Sequence, residues 1–229
     1  MYRLTLLFFL ALIISIHSIC TIPVLRIICK FNNTFYDDAN AANMIGQKTK
    51  GMSRTFGFFS EIDDEIGFVF YTMGRNSYLD LGVFVLPNSF TMNVWMKPVK
   101  QCLGEGYCVI FFAESGETFY DTTLALNKNG QLMLLRDFTT RSISKQSMDY
   151  GVWSFLVYTF CEHSNQNLIY INNSVWMNTT AIIQTGKQGG VVGFGGGQNM
   201  QAQKSSYYQA MFFNTVLNNK QIQYVKNKE

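Results

Sequence analysis

From Phe56 onward the apolar residues recur mostly at every second position, and no long stripe with a period of 3.6 runs through the chain. This pattern predicts strands. Phe90-Thr-Met-Asn-Val-Trp-Met-Lys97 alternates cleanly, with Phe90, Met92, Val94 and Met96 on one face and Thr91, Asn93, Trp95 and Lys97 on the other. It reads as a half-buried strand stopped by Pro98. Val109 to Phe112 is a continuous apolar run suited to a sandwich interior, and Thr123–Leu126 with Gln131–Leu135 flank Lys128-Asn129-Gly130 as a hairpin. Trp153–Phe160 and Leu168–Ile171 form a further pair across a polar loop. Asn172-Asn173 then turns the chain into Val175–Met177, Val191–Phe194 ends in Gly195-Gly-Gly197, and Tyr207–Phe213 is the last strand.

One helix follows. Leu217 to Val225 has helical spacing, with Asn218 as N-cap and Gln221 three residues on as its capping-box partner. Many short strands with turn signals every 8 to 12 residues or so predict an all-β antiparallel jelly-roll sandwich with a short C-terminal helix. No repeat and no Pro/Ser-rich linker divides the sequence, so one domain is expected over residues 30–229.

Composition narrows the class. Of 229 residues 48% are apolar, 15% aromatic and only 14% charged, against roughly 25% charged in an average soluble domain. Disorder and a charge-laced coiled coil are excluded. The net charge of +3 is spread from Arg26 to Lys228 without a basic stripe, which sets aside a nucleic-acid partner.

Residues Met1 to Ser18 resemble a targeting segment, with Arg3 ahead of the apolar run Leu4–Ile16 and with Ser18 and Cys20 spaced for cleavage before Thr21. Residues 1–20 are therefore expected to be a signal peptide. Apolar character resumes in Ile22–Cys29, so the alternative is an uncleaved anchor, in which case the protein is held on a membrane of the secretory pathway. Without Cys20, four cysteines remain. Cys102 and Cys108 enclose a turn-rich loop and are expected to close a hairpin by a disulfide, which leaves Cys29 and Cys161 to pair or to stay as thiols. No Cys-x-x-Cys or His pair has metal-ligand spacing, so no zinc site is expected. Asn32, Asn172 and Asn178 head Asn-x-Ser/Thr sequons, which make them glycosylation candidates in a secreted chain.

Three stretches share an order and spacing. They are Asn76-Ser-Tyr-Leu-Asp-Leu-Gly82 leading into Ser89–Pro98, Trp153–Phe160 followed by Asn167–Asn173, and Val191–Gly195 followed by Tyr208–Ile222. Together they resemble the laminin-G-like, pentraxin-like branch of the concanavalin A-like lectin/glucanase superfamily. The resemblance implies a jelly roll that serves as an extracellular binding or adhesion module for glycans or proteins. Gln209-Ala210 stands where that branch often has an acidic residue, and no Asp/Asn/Glu cluster aligns with its calcium ligands, so no calcium or other cofactor is expected.

Glu61-Ile-Asp-Asp-Glu65 resembles the acidic strand of laminarinase-type β-glucanases from the same superfamily. Retaining hydrolysis needs two carboxyl groups about 5 to 5.5 Å apart, which alternate residues of one strand face can supply. On that reading Glu61 attacks, Asp63 orients it and Glu65 donates the proton; Asp64 departs from the aliphatic residue expected there, and an acidic loop is the alternative. Trp95, among polar neighbours on its strand, is a candidate sugar-stacking platform. The function expected is thus a secreted, non-catalytic binding module, with a glycosidase or a structural subunit of a surface assembly as alternatives.

Overall fold

A computed structural model describes residues 26–30, 36–37, 58–74, 77–83, 88–102, 106–115, 118–136, 139–180, 191–196, 201–213 and 215–227. Residues 1–20 and Asn32 lie outside that set. The strands are β1 (Arg26–Lys30), β2 (Tyr36–Asp37), β3 (Phe58–Asp63), β4 (Gly67–Thr72), β5 (Tyr78–Val83), β6 (Phe90–Pro98), β7 (Tyr107–Ser115) and β8 (Thr118–Asn127). They continue as β9 (Gln131–Arg136), β10 (Thr139–Ser147), β11 (Ser154–Cys161), β12 (Gln166–Ile171), β13 (Ser174–Thr180), β14 (Val191–Gly195) and β15 (Ser205–Phe213), and helix α1 (Asn219–Asn227) ends the chain.

The larger sheet runs β13-β12-β11-β6-β15-β1-β2, with the β3–β4 hairpin attached to β15; the smaller runs β10-β9-β8-β7-β14-β5. All named strand pairs are antiparallel, and the chain crosses repeatedly between sheets, as a jelly roll does. The expected period of two places Phe90, Met92, Val94 and Met96 of β6 in the core between the sheets. There they meet Leu156 and Tyr158 of β11, Leu124 and Leu126 of β8, and Phe194 of β14. Phe194 sits 5.8 Å from Phe111 and 5.7 Å from Tyr207, ring centre to ring centre, joining the two layers.

Turn chemistry fixes the register. Asn172 and Asn173 both take positive φ, 50° and 72°, the mirror-image turn that suits a two-residue hairpin. Phe155 N–H donates to the Asn172 side-chain oxygen at 3.0 Å, tying that turn to β11. In the β8–β9 hairpin Gly130 supplies the positive φ, 76°, while Asn127 Oδ1 accepts from the N–H groups of Asn129 and Gln131. The capping box at α1 forms as expected: Asn218 N–H donates to Gln221 Oε1 at 2.9 Å, and Gln221 N–H to Asn218 Oδ1 at 3.0 Å. The helix itself begins and ends two residues later than the hydrophobic spacing suggests.

A disulfide joins Cys102 and Cys108. The expected Cys29–Cys161 bridge is not made, and Cys161 keeps a free thiol. Cys29 of β1 is paired with Ala210 of β15, while Cys161 ends β11, so β6 and β15 stand between their strands. Three strand intervals of about 4.8 Å exceed the roughly 7 Å that a disulfide spans between Cα atoms.

Candidate functional site

The outer face of the larger sheet gathers most of the chemistry. β4 keeps register with β15 only where Phe70–Thr72 meet Tyr207–Ser205, because β1 takes the same edge of β15 from Ala210 to Phe213. The rest of the β3–β4 hairpin leaves the sheet. Its tip passes over β15 to reach Lys97 on β6 and Trp153 just before β11, since both pair with Asp63.

At that tip Asp63 is the acceptor for three donors. Lys97 Nζ forms an ion pair with Oδ2; Trp153 Nε1–H donates to Oδ1 at 3.3 Å, and the Glu65 backbone N–H to the same oxygen at 3.0 Å. The Lys97 ammonium also lies 5.1 Å from the centre of the Trp153 ring, within cation–π range. Burial by itself pushes the Asp63 carboxyl up. The bonds from Lys97, Glu65 and Trp153, with the Lys97 charge, outweigh it and hold the group below its ordinary value.

The three acidic residues of the glucanase reading do not lie along one strand. β3 ends at Asp63, and residues 64–66 form the turn, so Glu65 has left the strand and is exposed. Glu61 is paired with Val69 within the hairpin. Alternation along one strand, which would set Glu61 and Glu65 side by side over a cleft, stops two residues too early. Asp63 instead caps its own turn and grips Lys97, which brings the hairpin onto the sheet.

Trp95 lies on the same outer face, opposite Phe155, with ring centres 5.1 Å apart. Lys226 of α1 places its ammonium 5.7 Å from the Trp95 ring. Phe155, Val157, Tyr170, Met211 and Phe213 of the sheet form a second apolar cluster with Leu217 and with Ile222 and Val225 of the helix, and Trp95 packs against it. On the face where Trp95 is a candidate stacking platform, α1 packs close by, and the half-buried Trp95 rests against the helix's apolar cluster.

Asn172 and Asn178 are both exposed on the β12–β13 hairpin. The Cys161 thiol is held below its ordinary pKa by hydrogen bonds from Ser164. Among the described residues no three His, Cys, Asp or Glu side chains gather as a metal site would require, and no helix among them is long and apolar enough to cross a membrane. Lys97 and Trp153 both lie in the stretches that carry the family resemblance, Ser89–Pro98 and Trp153–Phe160, but neither stretch marks them as partners of Asp63.

No protein-family model matches the chain, and no curated protein matches it in sequence. Solved structures do. Domain 4 of AbnA, a GH43 extracellular arabinanase from Geobacillus stearothermophilus solved in complex with arabinotriose, superposes with a TM-score of 0.63 at 15% identity, over 87% of this chain and 96% of that one. A native heptameric SAP-like pentraxin from Limulus polyphemus gives 0.51 at 13% identity, over 73% of this chain and 79% of its own. The fold is concanavalin A-like. Trypanosoma rangeli sialidase, in complex with the inhibitor DANA, gives 0.55 at 14% identity over 73% of this chain, which spans only 28% of the sialidase's length. Within the concanavalin A-like fold the likeness singles out no one family.

Proposed function

We propose that this protein is a carbohydrate-binding module of the secretory pathway or the extracellular space, with no catalysis of its own. The observation that carries the reading is the domain-for-domain likeness to the arabinanase's domain 4, which was captured with arabinotriose and which this chain matches over almost its whole length. A disulfide and two exposed sequon asparagines support an oxidising compartment. The departure of Glu65 into the turn, off the strand that carries Glu61, weighs against the retaining-glycosidase alternative.

The test is direct titration. Calorimetry with arabinotriose and with a panel of neutral and acidic oligosaccharides is expected to show saturable binding to at least one, with no release of reducing sugar on long incubation. Hydrolysis that Glu61→Gln abolishes would restore the enzyme reading, and silence across the panel would remove the carbohydrate reading.

A further inference from the structure

Asp63 is held by a receptor that it does not itself build. Lys97 Nζ and Trp153 Nε1 belong to the sheet, on β6 and at the entry to β11, and they converge on the two oxygens of one carboxylate. A cation and an indole N–H presented to the two oxygens form a charge-assisted, two-point carboxylate site. The carboxylate now in it comes from a hairpin that has left the sheet after three paired residues. Around that carboxylate the tip stands open to solvent: Ile62 is 72% exposed, and Asp64 and Glu65 are exposed as well.

Two exposed valines adjoin the pair in sequence. Gly151 N–H donates to the Pro98 carbonyl at 2.6 Å, joining the two chain segments, and Val152 and Val99, which follow these residues in sequence, are 50% and 46% exposed, while Trp153 is half-buried. Sugars that carry a carboxylate combine an anionic group with apolar C–H faces, and an indole suits the second as the ammonium suits the first.

We propose that Lys97 and Trp153 form a binding site for the carboxylate of an acidic sugar, and that Asp63 fills this site from within as an internal competitor. The inference rests on the carbohydrate-binding reading and names its ligand class. The external carboxylate exchanges with that of Asp63 while the hairpin tip swings off the sheet, and no covalent bond changes. The competition weakens binding by the work of displacing an effectively local carboxylate.

Trigalacturonate and the neutral arabinotriose are titrated into the full chain, its Asp63→Asn variant and the Asp63→Asn/Lys97→Gln double variant, with tryptophan fluorescence as readout. Asp63→Asn is expected to tighten trigalacturonate binding about tenfold or more, which corresponds to about 1.4 kcal/mol. The added Lys97→Gln removes that gain, and arabinotriose, which carries no carboxylate, shows no such gain on Asp63→Asn. An unchanged trigalacturonate affinity in Asp63→Asn, or a gain that survives Lys97→Gln, overturns the inference. Asp63→Ser serves as a second opening variant, and a thermal melt of each confirms that the comparison is between folded chains. If arabinotriose binds and trigalacturonate gains nothing, only this inference falls. If neither sugar binds any variant, the carbohydrate reading falls and this inference with it.

Discussion

Tyr158 shows how much of the interior depends on single polar contacts. Its ring is fully buried and stands edge-on to Phe90 with centres 5.3 Å apart, while its hydroxyl donates to Asn167 Oδ1 at 2.8 Å. Burial pushes the phenol far above its ordinary pKa, so it stays a neutral donor. The Asn167 amide in turn donates to the Asn165 carbonyl at 3.2 Å, so one hydroxyl orients the asparagine that ties β12 to the loop before it. Tyr158→Phe keeps the ring and removes one buried hydrogen bond, at a cost of about 0.5–1.5 kcal/mol. The expected outcome is a melting temperature lower by about 2–4 °C per kcal/mol, measured by calorimetry, with the far-ultraviolet spectrum unchanged. Gly195 illustrates the opposite limit. It sits at φ +93° with the Ser77 carbonyl inside the space a Cβ would need, so only glycine fits where β14 ends.

At the scale of elements, what was legible followed from locality. β6 reads directly from Phe90 to Pro98 because its period of two is strict and proline ends it, and the α1 cap reads from Asn218 and Gln221 because the box spans three residues. β10 was missed, since Thr-Thr-Arg-Ser-Ile-Ser-Lys-Gln-Ser is an edge strand that buries only Ser144 and carries no apolar alternation to detect. The Asp63 cluster was out of reach for a different reason. Its partners are 34 and 90 residues away, and only the peeling of β4 from β15 brings them together. Trp95 was placed on the correct face, but what packs against it comes from about 130 residues further along, and only packing reveals that. The helix lends itself to a clean test: Asn218→Ala removes the Oδ1 that accepts from Gln221 N–H, leaving the other arm's backbone donor in place, and is expected to cost about 1 kcal/mol. Hydrogen exchange should then show faster opening of α1 amides, with the β7–β8 amides on the other sheet unaffected.

For the whole molecule, one sheet bears both coverings on its outer face, the helix beside Trp95 and the hairpin tip over Trp153, while the core between the sheets holds the layers together. The charge economy noted in the sequence makes the Asp63 ion pair matter to global stability. Its folded-state pKa is depressed, so its contribution is fully present above the ordinary carboxylate range and is lost as pH falls through the folded-state value below it. Acid titration of the melting temperature is expected to steepen below about pH 4 in the natural chain. That added slope should be missing in Asp63→Asn, whose stability is already lower at neutral pH.

The direction of β1 sets a polarity that the sheet cannot escape. Arg26 is registered against Phe213, at the end of β15 remote from Ser206 and its neighbour Lys97. Seven residues of strand amount to about 23 Å. Any tether that reaches the domain through the chain before Arg26 therefore grips it by its foot, and the Lys97–Trp153 end becomes the head, held out toward whatever the tether faces.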